Sequence, residues 1–391
     1  MLPKILLLPL LLCATSLVAQ DPFFTHFFNN RSLFNPALTG ETGALSLRAL
    51  YKSQWHLGGD IPYRTMAATL EESMPCSWFD LGLNVVQDVE GDGRLSTFSG
   101  GFMLAGTPTL EVRDAIHNLR IGVGFNWAQR RIDFSRLTFS DQLDPKYGFF
   151  DVNGNPNPTG FVPPDFTGSF WYFMPSVGVA YKALFNKTNR HLGVFSIGYS
   201  MHNLLGLGDA NVFGHQESVL RIGTTTVPRH TAFAEWEFVP YYSAQTYLSV
   251  KPTVLWQQQG GLTYLEAGIQ AGISRMVAAG AYYHFGRRPP SGVNTNWLSF
   301  NVETSVLTTT GNRNTSRFDL GLSFSPNISG LQNTVGVGSI VEVSVAVHFA
   351  ASPGCKFMGR EDEVSYGKLP CPTAAQSRRS KIYENIWYGK K

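Results

Sequence analysis

The stretch LSFNVETSV at positions 298–306 decides the fold, because its side chains change character at nearly every step. Alternate positions carry the large apolar residues Leu298, Phe300, Val302 and Val306, with Thr304 among them. Small, polar or charged residues lie between them: Ser299, Asn301, Glu303 and Ser305. Successive side chains of a β-strand point to opposite faces of a sheet. The stretch therefore predicts a strand with one apolar face and one polar face.

The same alternation recurs along most of the chain and predicts fourteen strands. They are 44–52, 63–71, 78–88, 95–106, 117–131, 171–182, 192–202, 226–238, 246–257, 262–273, 275–286, 296–307, 315–326 and 339–349. Most run about 9 to 13 residues, the length that crosses a bilayer at a tilt. Only 15% of the residues are charged, against roughly 25% in soluble domains. Strand length and composition together favour a membrane protein.

A membrane offers no hydrogen-bond partner to a free backbone N–H or C=O, so a sheet that spans it must close. Residues 44–350 are therefore predicted to form an all-β, transmembrane antiparallel β-barrel of about 14 strands. The two longest connections, 132–170 and 203–225, follow the fifth and seventh strands. Long loops face outward in outer-membrane barrels, so this parity predicts that both termini are periplasmic.

The polar faces of these strands are predicted to line the lumen. The charged candidates are Arg48, Asp80, Arg120, Lys251, Glu303, Arg317, Asp319, Glu342 and His348. Two interpretations remain open: a packed polar interior, or a selective pore.

The first 19 residues are typical of a secretory signal peptide. Lys4 supplies the positive charge, residues 5–12 are apolar, and small residues follow up to Ala19. Cleavage there would leave Gln20 as the first mature residue, which predicts export.

The segment 20–43, before the first strand, is unusually aromatic. It contains Phe23, Phe24, Phe27 and Phe28, followed by Asn35 and Pro36. It is predicted either to plug the barrel from the periplasmic side or dock a partner, or simply to pack inside the barrel mouth.

Residues 351–391 form a tail that strand parity places in the periplasm. Residues 374–388 are predicted to form a short helix, which either docks a partner or remains disordered. The partner-binding candidates in the tail are Ile382, Tyr383, Ile386 and Trp387. Cys355 and Cys371 share this tail and are the natural disulfide pair, which leaves Cys76 as a free thiol.

The sequence contains no G-x-S-x-G, H-E-x-x-H or Walker motif, so no catalytic residues and no enzyme are predicted. The net charge of +3 does not indicate a nucleic-acid partner. No cofactor is predicted. A structural calcium ion in the longest outer loop is an alternative to ordinary polar turns there; its ligands would be Asp151, Asn153, Asn155 and Asn157.

Several segments, taken in order, resemble the PorP/SprF family of the Bacteroidetes type IX secretion system. The opening QDPFFTHFFNNRSLFNPALTG (20–40) resembles the start of that family, with an Asp-Pro, an aromatic run and an Asn-Pro-Ala before a Gly. Further similar segments follow it: LRALYKSQW (47–55), DLGLNVVQD (80–88), IDFSRLTFSDQLDP (132–145), KPTVLWQQQG (251–260), FDLGLSFSPNISGL (318–331) and KLPCP (368–372).

The resemblance implies a non-enzymatic protein of the bacterial outer membrane. Its role would be to assist secretion or surface anchoring of large adhesins with a C-terminal sorting domain, in some cases for gliding motility. Its partners would be outer-membrane lipid, such an adhesin, and periplasmic lipoproteins of the secretion and gliding apparatus. Two alternatives are a passive transporter similar to the FadL fatty-acid channels, and a secreted β-rich structural protein outside any membrane.

Overall fold

The computed structural model describes residues 21, 24–25, 27–42, 44–54, 63–74, 76–112, 115–165, 168–185, 190–207, 219, 226–242, 246–273, 276–287, 294–310, 314–328, 338–349 and 351–358. These residues form fifteen β-strands, one short α-helix and several 3-10 turns. The strands are β1 (Ala44–Gln54), β2 (Tyr63–Ser73), β3 (Phe79–Glu90), β4 (Leu95–Gly106), β5 (Thr109–Val112), β6 (Ala115–Arg131), β7 (Tyr172–Leu184), β8 (Val194–His202), β9 (Arg229–Tyr242), β10 (Tyr247–Gln259), β11 (Leu262–Ile273), β12 (Val277–Arg287), β13 (Asn294–Thr310), β14 (Asn314–Ser325) and β15 (Ile340–His348). The helix, α1 (Pro353–Phe357), follows the last strand.

The strands form one closed antiparallel sheet. From β6 to β15 each strand pairs with the next, and so do β1 to β4. The pairing of β15 with β1 and that of β4 with β6 complete the ring, with Ser46 opposite His348 in the first of these. The short β5 continues the line of β4 and pairs with the start of β6. The predicted antiparallel barrel of 14 strands is therefore confirmed.

Two differences from the predicted strands have a simple cause in proline. Pro108 separates β4 from β5, because a proline has no N–H to donate to the ladder. The sequence prediction ended the strand at residue 106 and missed β5. Likewise β9 begins at Arg229, directly after Pro228, and not at position 226 as predicted.

The two faces of the barrel differ as the alternation predicts. On β2, Thr65, Thr69 and Glu71 are buried in the interior, whereas Met66 and Leu70 are exposed on the outside. Large apolar side chains are exposed on the outer faces of most other strands as well. An apolar exterior around a polar interior suits a barrel whose outer surface contacts lipid.

Within the part of the chain described, no helix is long and apolar enough to cross a membrane.

The end of the barrel where β2 turns into β3 carries a disulfide bond between Cys76 and Cys355. Their Cα atoms are 5.8 Å apart although 279 positions separate them in sequence. Closure of the sheet brings them together, because β15 pairs with β1 and β1 pairs with β2. Glu72 fastens the same corner: its Oε1 accepts hydrogen bonds from the Ser352 hydroxyl (2.7 Å) and the Gly354 N–H (2.6 Å).

The predicted Cys355–Cys371 disulfide is therefore wrong, since Cys355 is bonded to Cys76. The position of both cysteines in one tail did not predict the pairing, because closure of the sheet brings distant parts of the chain together. Cys371 lies outside the described residues, as do the tail candidates Ile382, Tyr383, Ile386 and Trp387.

Candidate functional site

The chain before β1 runs through the inside of the barrel. We call residues 24–42 the interior segment. Most of its described side chains are buried: Asn35 and Ala37 are 0% exposed and Leu38 is 1% exposed. The 3-10 turn Pro36–Leu38 packs against the inner faces of β4, β6 and β7. The interior segment therefore occupies the space that an open barrel would leave to water.

The Asn-Pro-Ala motif fixes this segment to the barrel wall. The Asn35 carboxamide oxygen accepts a hydrogen bond from the Ala37 N–H (2.9 Å) and so caps the turn, while Pro36 occupies its first position. The Asn35 side-chain NH₂ donates to the carbonyls of Val179 (3.2 Å) on β7 and Tyr199 (3.3 Å) on β8. One side chain thus shapes the turn and joins it to two strands.

Two glycines of the wall make this close approach feasible. A Cβ atom at Gly122 on β6 would collide with the backbone of Pro36 and Ala37. A Cβ atom at Gly178 on β7 would collide with the Asn35 side chain. Both strands therefore need glycine where the interior segment lies against them.

Arg120 on β6 is the main charged anchor of the interior segment. Its Nε donates to the Ala37 carbonyl (2.7 Å) and its Nη2 to the Thr39 carbonyl (2.6 Å). The same Nη2 lies 3.1 Å from the Asp80 carboxylate on β3, and both side chains are fully buried. Asp80 also accepts hydrogen bonds from the Ser73 hydroxyl and the Met74 N–H, each 3.1 Å. Because every charge has partners, burial of the pair is tolerated.

A second buried network joins the segment to β7 and β9. Arg31 donates to Glu235 on β9 (2.5 Å) and lies 3.2 Å from Glu41, measured between Nε and Oε2. Glu41 also forms an ion pair with Lys182 on β7. Two cations and two carboxylates therefore balance inside the barrel, and the segment supplies one of each.

The nine predicted lumen residues all lie on the inner faces of their strands. Seven are buried, namely Arg48, Asp80, Arg120, Lys251, Arg317, Glu342 and His348, whereas Glu303 and Asp319 are half-buried.

At least three of these nine form hydrogen bonds with the interior segment. Besides Arg120, Arg48 donates to the Asn29 carbonyl (3.0 Å), and Glu342 accepts from the Thr25 N–H (2.6 Å).

A separate group sits on β14 and β15. Asp319 lies 2.8 Å from Arg317 and 3.0 Å from the Nε2 of His348.

Sequence reasoning missed the charged residues that matter most to the second network. Arg31 and Glu41 stand in the aromatic N-terminal stretch, and Lys182 and Glu235 stand on the polar faces of two strands. Glu71 was also missed; it accepts a hydrogen bond from the Ser32 hydroxyl and another from the Gly40 N–H (2.8 Å). A charged residue in a strand of otherwise apolar or small residues indicates a buried ion pair. The sequence alone does not show which residue is its partner.

The partner-binding candidates at the N-terminus are placed as follows. Phe24, Asn35 and Pro36 are buried inside the barrel, so packing there is the interpretation that fits these three residues. Phe23 and the side chains of Phe27 and Phe28 lie outside the description.

The interior segment traverses the barrel from one end to the other. Shortly before its start, the Asp21 N–H donates to Gln259 (3.0 Å) and the Asp21 carboxylate accepts from Asn203 (2.9 Å), at the ends of β10 and β8. At its finish, Gly40 lies beside Ser73 and Asp80, at the opposite end.

This path bears on the predicted periplasmic location of both termini. Asp21 and α1 lie at opposite ends of the barrel, so the interior segment, which follows Asp21, does not start on the side of α1. Strand parity cannot reveal this, because it counts crossings of the wall and not passage through the lumen. Which end faces the periplasm stays a prediction.

The interior segment leaves a cavity between itself and the wall of the barrel. A cavity of about 90 Å³ lies between the segment and the wall near Asp21, bordered by Phe24, Phe34 and Arg229. A cavity of that size is large enough to hold several water molecules. Toward the other end, inward-facing apolar side chains form a cluster: Ile116, Leu184, Val194, Val239 and Tyr247. The interior segment and this cluster both occupy space inside the barrel.

The calcium candidates lie in the long connection between β6 and β7. The Asp151 carboxylate accepts hydrogen bonds from the backbone N–H groups of Asn153 and Asn155, each 2.8 Å. These bonds form a polar turn and hold the pKa of Asp151 below its usual value. The described residues contain no group of three or more His, Cys, Asp or Glu side chains that could hold a metal ion. A calcium ion at this loop stays a prediction.

A closed antiparallel barrel with an apolar exterior and a filled, charge-paired interior defines an integral outer-membrane β-barrel protein. The model of one protein family, described as type IX secretion system membrane protein PorP/SprF, matches residues 16–347. The chain belongs to the PorP/SprF family, as the resemblance of its motifs indicated.

Solved structures with a similar arrangement of strands include a Pseudomonas aeruginosa FadL homologue, at 13% identity and a TM-score of 0.37, covering 82% of this chain and 94% of that one. The CymD monoaromatic hydrocarbon channel is 10% identical with a TM-score of 0.38, covering 85% and 94%. The outer-membrane protein OmpT of Vibrio cholerae is 9% identical with a TM-score of 0.28, covering 78% and 95%. A search among curated proteins finds no match.

Proposed function

We propose that this protein is a non-enzymatic outer-membrane component of the type IX secretion system. Its task is to assist secretion or surface anchoring of large adhesins with a C-terminal sorting domain, and thereby gliding motility. On the periplasmic side it couples to lipoproteins of the same apparatus. Membership of the PorP/SprF family over residues 16–347 is the observation that carries this proposal.

The filled interior supports a scaffold and not an open conduit. The interior segment is held by Asn35, by Arg120 and by the Arg31–Glu235 and Glu41–Lys182 pairs. A FadL-like passive transporter needs a continuous lumen or a lateral gate, whereas here the turn Pro36–Leu38 packs against the inner faces of β4, β6 and β7. Docking of partner proteins at the two ends of the barrel suits this filled interior better than transport through it does.

The interior charges also have an evident structural use. Arg120 and Asp80 are both fully buried; Arg120 binds the segment, and the two side chains bind each other. Because the pair is committed to holding the chain, we assign it no catalytic role.

The test is affinity purification of the full-length protein from native outer membranes in mild detergent, with mass spectrometry of the co-purifying proteins. The matched control is an unrelated outer-membrane barrel carrying the same tag and purified in parallel. Recovery of a large protein with a C-terminal sorting domain, together with periplasmic lipoproteins, is the expected result. A barrel that co-purifies with nothing beyond the control, and that takes up small molecules in vesicles, would contradict the proposal and favour the transporter.

A further inference from the structure

The connection between β6 and β7 forms a folded lobe at the same end of the barrel as Asp21. We call residues 132–165 the β6–β7 lobe. Asp141 closes it: its carboxylate accepts hydrogen bonds from the Gly160 N–H (2.6 Å) and the Thr159 hydroxyl (2.9 Å). Asn157 donates from its side chain to the Gln142 carbonyl (2.8 Å). These bonds join positions far apart in the loop, so the lobe has a defined shape.

Two further features stiffen the lobe. Its base is attached to the neighbouring hairpin, because the Asp133 N–H donates to the Gly93 carbonyl (2.8 Å). It also contains five prolines, whose rings fix the backbone: Pro145, Pro156, Pro158, Pro163 and Pro164. A segment that is already ordered loses little conformational entropy when it binds.

This ordered lobe exposes apolar side chains that nothing in the barrel covers. Val162 is 84% exposed, Val152 70%, Leu143 56% and Phe150 52%. They belong to a loop beyond the ends of β6 and β7, and so stand apart from the apolar outer faces of the strands. Several large apolar side chains exposed on one ordered loop are available for burial against a partner.

The charge of the lobe narrows the class of partner. It carries five aspartates, Asp133, Asp141, Asp144, Asp151 and Asp165, against Arg136 and Lys146. Hydrogen bonds from backbone N–H groups hold the pKa of Asp141 and that of Asp144 below their usual values, so both stay ionised at neutral pH. A surface of anionic lipid, or the same lobe of a second copy, would be repelled. A surface rich in Lys and Arg would be attracted.

We infer that the β6–β7 lobe is a docking surface for a partner protein whose contact area has an apolar centre ringed by Lys and Arg side chains. The apolar side chains of the lobe supply the buried centre, and its aspartates meet the cationic rim. The identity of the partner rests on the proposed function, under which it is the secreted surface protein held at this end of the barrel.

The experiment places a photo-reactive amino acid at position 162 of the full-length protein in living cells. Cross-linked peptides are identified by mass spectrometry. The expected result is an adduct with a partner protein at a peptide that combines apolar residues with Lys or Arg. Adducts with lipid or with a second copy of the chain, or no adduct at all, would overturn the inference.

Matched variants test the chemistry of the contact. Val152→Glu and Asp165→Lys should each lower the yield of the adduct at least about fivefold, the size expected for losing one significant interface contact. Met276→Glu is the control, because Met276 is 65% exposed in the turn at the opposite end of the barrel. In this variant the yield of the adduct at position 162 should equal that of the wild type. Equal yields in all three variants would overturn the inference.

The outcomes separate this inference from the proposed function. A partner protein cross-linked as expected, with no secretion component in the affinity purification, supports the lobe and contradicts the proposed function. Suppose instead that secretion components co-purify, and that Val152→Glu and Asp165→Lys leave the yield of the adduct at position 162 unchanged. This result supports the proposed function and contradicts docking at the β6–β7 lobe.

Discussion

Replacement of Gly122 by alanine or valine tests whether the interior segment lies against β6. A Cβ atom there would come within 3.0 Å of the backbone of Pro36 and Ala37, closer than real Cβ atoms approach other atoms. The strand itself cannot yield easily, because it is hydrogen-bonded to β4 on one side and β7 on the other. The interior segment must therefore move.

The magnitude follows from what that movement disturbs. Overpacking a well-filled interior costs about 1–3 kcal/mol, and a clash with backbone belongs at the upper end of this range. The displaced turn also strains the Arg120 hydrogen bonds to Ala37 and Thr39, and bonds to a charged group contribute about 1.5–3 kcal/mol each. We expect Gly122→Ala to lower the free energy of unfolding by about 3 kcal/mol, and Gly122→Val by more.

The assay has two readouts on the purified full-length barrel. The first is the temperature at which it loses its folded mobility in gel electrophoresis, which should fall by several degrees. The second is ion conductance in planar bilayers, which should rise if the segment leaves the lumen. Gly160→Ala is the control, since the nearest atom to its added Cβ, the Asp141 Oδ2, is at an ordinary 3.6 Å. Wild-type melting together with wild-type conductance in Gly122→Val would refute the reasoning.

Three further predictions concern the charge pair, the outer face and the disulfide. Arg120→Met should lower the free energy of unfolding by about 3–5 kcal/mol, because it leaves the Asp80 carboxylate buried without its cation; urea titration should show a smaller loss when Asp80→Asn is added, and equal losses would contradict the pairing. Val343→Arg should cost about 2–4 kcal/mol in lipid vesicles if that outward-facing side chain lies near mid-bilayer, whereas Val343→Leu should unfold like the wild type; equal midpoints would count against a lipid-facing Val343. Without reductant, the wild type cut once by protease between Cys76 and Cys355 should run as one covalent unit on a denaturing gel, and Cys76→Ser as two fragments; a wild type that separates would show that the bond is absent.

The strand pattern was readable from the sequence because side-chain direction in a strand is a local property. Positions such as Phe300 and Val302 alternate with Asn301 and Glu303 whatever the strand pairs with. The same local rule placed Arg120 on the inner face before any partner was known. Where the prediction failed locally, as at Pro108, a missing N–H interrupted the ladder.

The family motif was also visible, but its use was not. Asn35 and Pro36 stood out as a motif, and the sequence left open whether they dock a partner or pack inside. The Asn35 side-chain NH₂ donates to the carbonyls of Val179 and Tyr199, which lie in strands more than 140 positions away. Only the register of β7 and β8 brings those carbonyls to the same place.

The sequence by itself determined an outer-membrane barrel of about fourteen strands, with its apolar face outward and its charged face inward, because periodicity and strand length are carried by neighbouring residues. The tertiary structure alone decided how the interior is filled and fastened. Only the fold shows that Cys76 is bonded to Cys355 and that Lys182 pairs with Glu41. Only the fold shows that the chain between Asp21 and β1 lies inside the barrel. Sheet closure is the physical reason, since it turns residues that are remote along the chain into neighbours and leaves no trace of that in the local pattern.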